Sequence, residues 1–529
     1  MLLKLAKVVI PAMLSQTFIF FMEIVNMFFI GHLNDPAMVA GVGLGNMYVN
    51  IVCQSLILGL NGGVGTLVAQ AYGSKNMRKC GVYLNRGRII TLMCYIPMVF
   101  SILMCERVLL FIGQDPAASR FAQQYVYAII PGMFFHGQFD ATRQYLISMH
   151  RNLLVTVVMI TTSLLHMLWC YLLVNIAQMG VQGASLAMLI SYTLNFFLIT
   201  LFCMAATDLR DSFFFFTKDT FGEFSEYLKI GIPSAVMLCL EWGGFECFII
   251  IAGLISVDVS GAQVVILNTF FVIMMLSLGC QQGALACVGK AMGEGNNKKA
   301  RIYLKITVIG SIIMNFIVAF VITIFKDPIS TIFTKNKLIV EQISDSMTLM
   351  AVVTIINGTQ LVLAGGIKGI GLQYQATFII LICVYFISLP LSYVFAIVLQ
   401  LKLKGIWLAI IIGTSMQTLV YLYLLSCRIS WKKMATKIQT KMREKENLEM
   451  LRHQSQSQLQ VFLSTHHTTA QDQEITEMQQ QSQKGQILSK DFSSKYKSLG
   501  KYKVFDDDLK DPYSPINKQK DYQLKPKVF

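Results

Sequence analysis

The stretch GLNGGVGTLVAQAYGSKNMRKCGVYL, residues 59–84, lies over GCQQGALACVGKAMGEGNNKKARIYL, residues 279–304, without a gap. Gly59, Gly63, Val68, Ala71, Gly73, Asn76, Lys79, Tyr83 and Leu84 recur as Gly279, Gly283, Val288, Ala291, Gly293, Asn296, Lys299, Tyr303 and Leu304. Elsewhere the offset is two larger. Lys7 and Pro11 match Lys229 and Pro233, Gly31 matches Gly253, Asn46 matches Asn268, and Gln138 matches Gln360. Gly183, Leu186 and Ala187 likewise match Gly405, Leu408 and Ala409. An offset so nearly constant across most of each half points to a duplicated unit, not to generic Gly- and Ala-rich membrane composition.

The 529-residue chain is 54% hydrophobic and 14% charged, with a mean hydropathy of +0.57. Soluble domains run about 45–50% apolar and about 25% charged, so the composition places the chain among polytopic membrane proteins. Apolar runs of spanning length fall near 8–30, 37–69, 88–112, 121–147, 152–176 and 180–205, then near 228–255, 259–288, 303–325, 342–367, 375–399 and 405–426. The first is too long for a signal-peptide core and lacks a small-residue cleavage pattern, so it reads as a spanning helix. The prediction is an all-α polytopic membrane protein of twelve transmembrane helices. Six helices per half bring each half back to the side where it began. The repeats are therefore parallel, related by an axis along the membrane normal, with a central cleft between two lobes.

The expected division is an N-lobe at 1–206, an inter-lobe linker at 207–227, a C-lobe at 228–426 and a tail at 427–529. The loop after the second run carries Lys75, Arg78, Lys79, Arg86 and Arg88, and its counterpart carries Lys290, Lys298, Lys299, Arg301 and Lys305. The loops after the first, fifth and seventh runs carry none, which puts both termini and the linker in the cytoplasm. The same distribution explains the net charge of +15 without nucleic acid. In the tail, WKKMATKIQTKMREKENLEMLRHQ is a basic stretch able to lie on an anionic leaflet. The Gln/Ser-rich segment beyond it has too few apolar residues to fold. His453, His466 and His467 belong to that polar tail and are not read as a metal site. Twelve scattered cysteines, without ligand or disulfide spacing, read as reduced packing residues.

Two glutamates interrupt the seventh run, in LCLEWGGFECFIIIAGLI, residues 238–255. A carboxylate near the centre of a bilayer helix costs roughly 2.5–3.5 kcal/mol on insertion scales. At 1.5 Å per residue Glu241 lies about 17 Å from Ile230, near that centre. Glu246, five residues on, points about 140° away on an ideal helix, with Gly243 and Gly244 between them as a possible kink. A medium of low polarity penalises the ionised form of a carboxylic acid. Such a group can hold a proton at neutral pH and release it when a cation arrives, which is the physical basis of antiport. No base lies in this run beyond Lys229, although a partner from another helix would make the acid structural.

Other polar groups within the spans are weaker candidates for a cleft or cation site. Glu23 and Asn26 are three residues apart on one helix. His166 and Cys170 share a face, and Glu23 with His166 could form a proton or cation site in the first lobe. The alternative is a buried pair that holds helices together. Gln54, Asn268, Asn357 and Gln360 could line the cleft or bond helix to helix. Trp242 could offer its ring to an organic cation. Asp140 and Arg143 read as a structural ion pair. No Walker A sequence or enzyme motif is present, so energy would come from an ion gradient.

KIGIPSAVMLCLEWGGFECFIIIAGLI, the GxxxGxxxxVxxAxGxxN pattern in both halves, RQYLISMHRN and LVLAGGIKGIGLQ together resemble the multidrug and toxin extrusion (MATE) family, most closely its eukaryotic branch. The resemblance covers about residues 4–426. It implies a two-lobed exporter that rocks between outward- and inward-facing states and exchanges protons, or in some members sodium, for organic cations, metabolites or drugs. By this resemblance Glu241 and Glu246 match the acidic positions used for proton coupling and substrate binding. Asn357 and Asn268 stand where relatives carry acids, so the C-lobe has fewer carboxylates. Asn26 stands where prokaryotic members often carry a cation-site aspartate, which argues against a sodium site of the usual form.

The expected protein is thus a monomeric, proton-coupled exporter in a lipid bilayer, with no enzymatic activity, cofactor or metal. Its membrane is the plasma membrane or that of an acidic organelle. The alternatives are sodium coupling, a lipid-linked oligosaccharide flippase, whose cleft would need bases for phosphates, and a non-transporting scaffold acting through its tail.

Overall fold

The computed structural model describes residues 2–33, 35–333 and 337–465. The Gln/Ser-rich segment beyond residue 465, with His466 and His467, lies outside the described residues, as do the side-chain surroundings of His453. The chain divides into two compact units, 1–442 and 443–529.

Within the first unit the long helices follow one another in chain order. They are α1 (Leu2–Gly31), α2 (Pro36–Gly73), α3 (Met77–Leu103), α4 (Pro116–Ser148), α5 (Asn152–Ile176) and α6 (Gly180–Ala205), then α7 (Phe224–Gly253), α8 (Val257–Gly293), α9 (Asn297–Phe333), α10 (Lys337–Ile370), α11 (Gln373–Val398) and α12 (Lys402–Arg428). Eleven helical stretches among the described residues are long and apolar enough to cross a membrane. The exception is α4, which has 33 residues but carries Gln123, His136, Gln138, Asp140, Arg143 and Gln144 on its buried surface. Its polarity is turned inward. On α9, by contrast, Ile309, Ile313, Phe316, Ile317, Phe320 and Ile324 form a continuous exposed stripe suited to lipid.

The six-helix plan is repeated in packing as well as in sequence. In the first half α1 packs on α5, α2 on α4 and α4 on α6; in the second half α7 packs on α11, α8 on α10 and α10 on α12. The Thr156 hydroxyl of α5 donates to the Pro11 carbonyl of α1 at 2.8 Å, and the Thr377 hydroxyl of α11 donates to the Pro233 carbonyl of α7 at 2.8 Å.

The contacts between halves are equally reciprocal: α1 lies on α8, α7 on α2, and α2 crosses α8. A β-carbon on Gly59 would overlap the Ala235 backbone, and one on Gly279 the Met13 backbone. At the ends of the crossing helices a β-carbon on Gly73 would overlap the Lys290 carbonyl oxygen, and one on Gly293 that of Gln70. Residue 290 is the repeat mate of residue 70. This is the self-complementary pattern of a two-fold contact, and glycine is required because only a chain without Cβ permits so close a backbone approach.

The first half has a polar lock of its own. Arg143 Nε donates to Asp140 Oδ1 at 2.8 Å, Asn61 Nδ2 to Asp140 Oδ2 at 2.9 Å, and Thr91 Oγ1 to Asn61 Oδ1 at 3.1 Å. Arg143 Nη1 also donates to Gln16. The pair ties α4 to α1, α2 and α3 and is almost fully buried.

The linker is docked, not loose. Arg86 Nη2 donates to the Asp219 carbonyl at 2.8 Å, Asn85 to that of Phe214 at 3.0 Å, and the Tyr145 and Ser212 hydroxyls meet at 2.6 Å. Helix α7 begins at Phe224, within the stretch expected to be linker. A further helix, α13 (Trp431–Thr465), follows α12. Its first turns bury Trp431, Ala435, Ile438 and Met442, and Lys441 Nζ pairs with Glu226 at 2.9 Å. The turns up to Met442 therefore pack on the membrane unit through one face.

Two outcomes follow. Ending the chain after Met442 leaves the thermal midpoint of the membrane unit in place, whereas ending it after Ser430 lowers it, since each large apolar side chain contributes about 1.5–3 kcal/mol when buried. In chemical unfolding, Arg143→Met strands the Asp140 carboxylate and costs about 3–5 kcal/mol, most of which the double change Asp140→Leu/Arg143→Met recovers.

Candidate functional site

Helix α7 is continuous through the Glu-Trp-Gly-Gly stretch. Gly243 and Gly244 do not interrupt it. They make room for α11, because a β-carbon on Gly243 would lie 3.0 Å from Tyr385 Oη and one on Gly244 2.7 Å from a Val384 methyl. Tyr385 Oη also donates to the Leu240 carbonyl at 3.1 Å. The glycines form a packing groove for α11, and the helix is unbroken through them.

The two glutamates look in different directions. Eleven residues are about three turns and return to within ~20° of the same face. Glu246 therefore lies on the face of α7 that meets α2 at Ala235, as does Trp242, seven residues from Ala235. Between them, Cys239 Sγ meets Ser55 Oγ of α2 at 3.2 Å. Glu246 and Trp242 are half-buried beyond that last close approach, facing the opposite half. Glu241 turns into its own half. Its Oε1 accepts a long hydrogen bond from Gln360 Nε2 of α10 at 3.5 Å, and Gln360 Oε1 accepts from Asn357 at 3.4 Å. Neither glutamate forms an ion pair among the described residues.

Two groups that the sequence reading passed over stand around Glu241, and a third, Gln417, bonds one of them. Lys368 of α10 is buried and within electrostatic reach of the carboxylate. Tyr421 of α12 is also within reach, and its hydroxyl accepts from Gln417 Nε2 at 3.2 Å. Lys368 lies inside the quoted LVLAGGIKGIGLQ, and a lone base in a spanning run was its available signal. Gln417 is the repeat mate of Asn195, itself bonded to Thr162 at 2.6 Å; that correspondence was legible. Tyr421 has no polar mate and no such signal.

Asn268 is exposed on α8, eleven residues from Gly279 on the face that meets α1 lower down. It thus opens toward the gap between the halves. Its mate Asn46 is sealed instead, accepting from Tyr125 Oη at 2.8 Å.

In the first half the candidates divide into two groups. His166 Nδ1 meets Ser191 Oγ at 2.9 Å and its Nε2 meets Asn26 Oδ1 at 3.1 Å, while Cys170 Sγ donates to Asn26 Oδ1 at 3.2 Å and Asn26 Nδ2 donates to Tyr125 Oη at 3.2 Å. Glu23 is within electrostatic reach of Tyr125 but makes no hydrogen bond to this cluster, and its polar contact is Asn50. Asn50 opens the π-helical turn Asn50–Gln54 of α2, at whose end Gln54 is buried. Glu23 and His166 are thus not brought to one another; each is satisfied by a neutral side chain. Among the described residues no group of three His, Cys, Asp or Glu side chains could hold a metal ion.

The expected cost of breaking the Asn26 hub is structural. Asn26→Leu leaves His166, Tyr125 and Cys170 without their shared partner and lowers stability by about 1–3 kcal/mol for the stranded polar groups, read as a fall in thermal midpoint in detergent.

Comparisons with known proteins agree with this architecture. The MatE family model matches twice, at residues 11–172 and 233–394, two stretches that begin and end 222 residues apart. The chain is 30% identical to mouse multidrug and toxin extrusion protein 2 over 83% of its own length and 77% of that protein's. It is 28% identical to human multidrug and toxin extrusion protein 1, over 80% and 74%. With Protein DETOXIFICATION 17 of Arabidopsis thaliana it shares 27%, over 79% and 87%. Among solved structures the eukaryotic MATE transporter AtDTX14 superposes with a TM-score of 0.79 at 22% identity, covering 83% of this chain and 98% of that one. A double match to the family model, spaced by the chain's own internal repeat, makes this integral membrane protein a member of the MatE family of multidrug and toxin extrusion transporters.

Proposed function

We propose that the protein exports organic cations in exchange for protons, by alternating access. The carrying observation is Glu241, an acid of a spanning helix that forms no ion pair among the described residues and accepts a hydrogen bond from the neutral amide of Gln360, with Lys368 in electrostatic reach. Such a carboxylate can be neutralised by a proton or by a positively charged cargo, and the two then compete. Glu246 and Trp242, on the face toward the other half, supply a carboxylate and an aromatic ring for a cation entering the gap. The mouse and human relatives, named for multidrug and toxin extrusion, support this substrate class.

The basic residues around the α2–α3 and α8–α9 turns put that face, and both termini, in the cytoplasm by the positive-inside rule. The tight crossing of α2 and α8 then closes the cytoplasmic side, and this conformation faces outward. One chain contains both halves of the cleft, so a monomer suffices. A plasma membrane or an acidic organelle would supply the gradient.

The test is uptake of a fluorescent organic cation into proteoliposomes under an imposed pH gradient, with and without sodium. Wild type responds to the pH gradient in the absence of sodium. Glu241→Gln, inserted and folded normally, falls to the level of protein-free vesicles. Transport by that variant at the wild-type rate excludes the mechanism, and a requirement for sodium assigns the coupling to that ion.

A further inference from the structure

The seam where the halves close is symmetric in backbone but not in chemistry. At one corner the Thr66 hydroxyl of α2 donates to the Lys368 carbonyl at the end of α10 at 3.0 Å, and Gln373 Nε2 donates to Thr66 Oγ1 at 2.8 Å. Gln70 Nε2 donates to the Gly369 carbonyl at 3.0 Å. The side chains that make these bonds, Thr66, Gln70 and Gln373, are neutral and do not titrate.

At the other corner the repeat mate of Gln70 is Lys290, and its Nζ lies 4.4 Å above the ring of Tyr72. One residue from the repeat position of Gln373 stands His150, in the turn between α4 and α5, with φ of 62°. Its ring is 6.0 Å from that of Tyr72 and lies in polar reach of the Ala286 backbone of α8. This contact crosses from one half to the other. Nε2, the second ring nitrogen, is buried without a partner. We propose that His150 is a proton-operated release for this seam: neutral, it fastens α4–α5 to α8, and protonated, it forces the two halves apart on that side.

The surroundings dictate the sign. From α8 the imidazole faces Lys290, with Glu294 and Cys287 beside that lysine, and from α9 it faces Lys299. Glu294 is engaged by Lys299 at 2.6 Å. Lys4 of α1 adds a further positive charge near Lys290, and on the histidine's own turn Arg151 is paired with Asp208. A proton on Nε2 would find cations and no free carboxylate.

Burial first, and Lys290 next, push the imidazole down from 6.5 to about 4 in the closed seam. A base whose value is depressed in one state is protonated more readily in the other. The closed state is therefore favoured above about pH 6.5 and loses ground as pH falls toward 4. For a group that regains its ordinary value on opening, the open-to-closed ratio rises about tenfold between pH 7.5 and pH 5.5. Acid on the seam side would then favour opening to the compartment that contains the proton.

This inference rests on the alternating-access reading and not on the chemistry of Glu241. The experiment uses the full-length protein in nanodiscs, with spin labels at Lys75→Cys and Lys298→Cys in a Cys427→Ser background, and reads distances between the two loops by electron–electron resonance. Wild type shifts toward the longer distance about tenfold from pH 7.5 to 5.5. His150→Gln, which keeps an amide donor, retains the closed population at pH 7.5 and loses the shift. Glutamine is sterically acceptable there, since Gln178 and Gln400 already adopt φ of 52° and 53°. In a second variant, Lys290→Met, the shift shrinks because the nearest repelling charge is gone. A distribution insensitive to pH in wild type, or an undiminished shift in His150→Gln, overturns the proposal. Adding Glu241→Gln leaves the shift intact, so a failure of proton-coupled transport and a failure of this release are read separately.

Discussion

Two helices, α2 and α8, cross so closely at Gly73 and Gly293 that each presents a bare backbone to a carbonyl of the other. Everything else in the membrane unit is arranged about that crossing. It fixes the axis relating the halves, it brings α1 onto α8 and α7 onto α2, and it sets where the halves touch and where they part. Since the same glycines serve both sides, the contact is self-complementary and closes on itself. Small residues at such a place let helices pack by van der Waals contact where lipid offers no hydrophobic driving force.

Symmetry of backbone has been kept while symmetry of chemistry has been lost. Glu241 and Glu246 stand where the first half has Ile19 and Ile24. The buried Asp140–Arg143 pair of the first half faces Val362 and Gly365 at the corresponding positions of the second. One half is thus cemented by an internal ion pair and a neutral hydrogen-bonded cluster, and the other holds half-buried acids with loose amide partners.

The same division explains which candidate residues converge. Glu241, Gln360 and Asn357 meet because α7 and α10 belong to one half and the helix period turns Glu241 inward. Glu246 and Trp242 face outward from that half, one side of a gap whose other wall is α2. His166, Asn26 and Cys170 also meet, but their hydrogen-bonding capacity is taken up within the cluster. Glu23, one turn away from Asn26, joins Asn50 instead.

The sequence by itself determined the number of halves, their parallel relation, the helix order and the family, because hydrophobic run lengths and a fixed offset of repeated residues are one-dimensional quantities. It also located both glutamates of α7, whose cost in an apolar run is visible without coordinates. What it could not settle was direction. Whether a glycine pair bends a helix or receives a neighbour depends on what lies opposite, and here Val384 and Tyr385 of α11 decided it. That Lys368 and Tyr421 attend Glu241, that α4 is polar because it is a buried lock, and that Trp431–Met442 packs on the membrane unit are facts of three-dimensional apposition. Such contacts join residues more than a hundred positions apart, or hinge on which face a helix turns inward, and no local pattern records either.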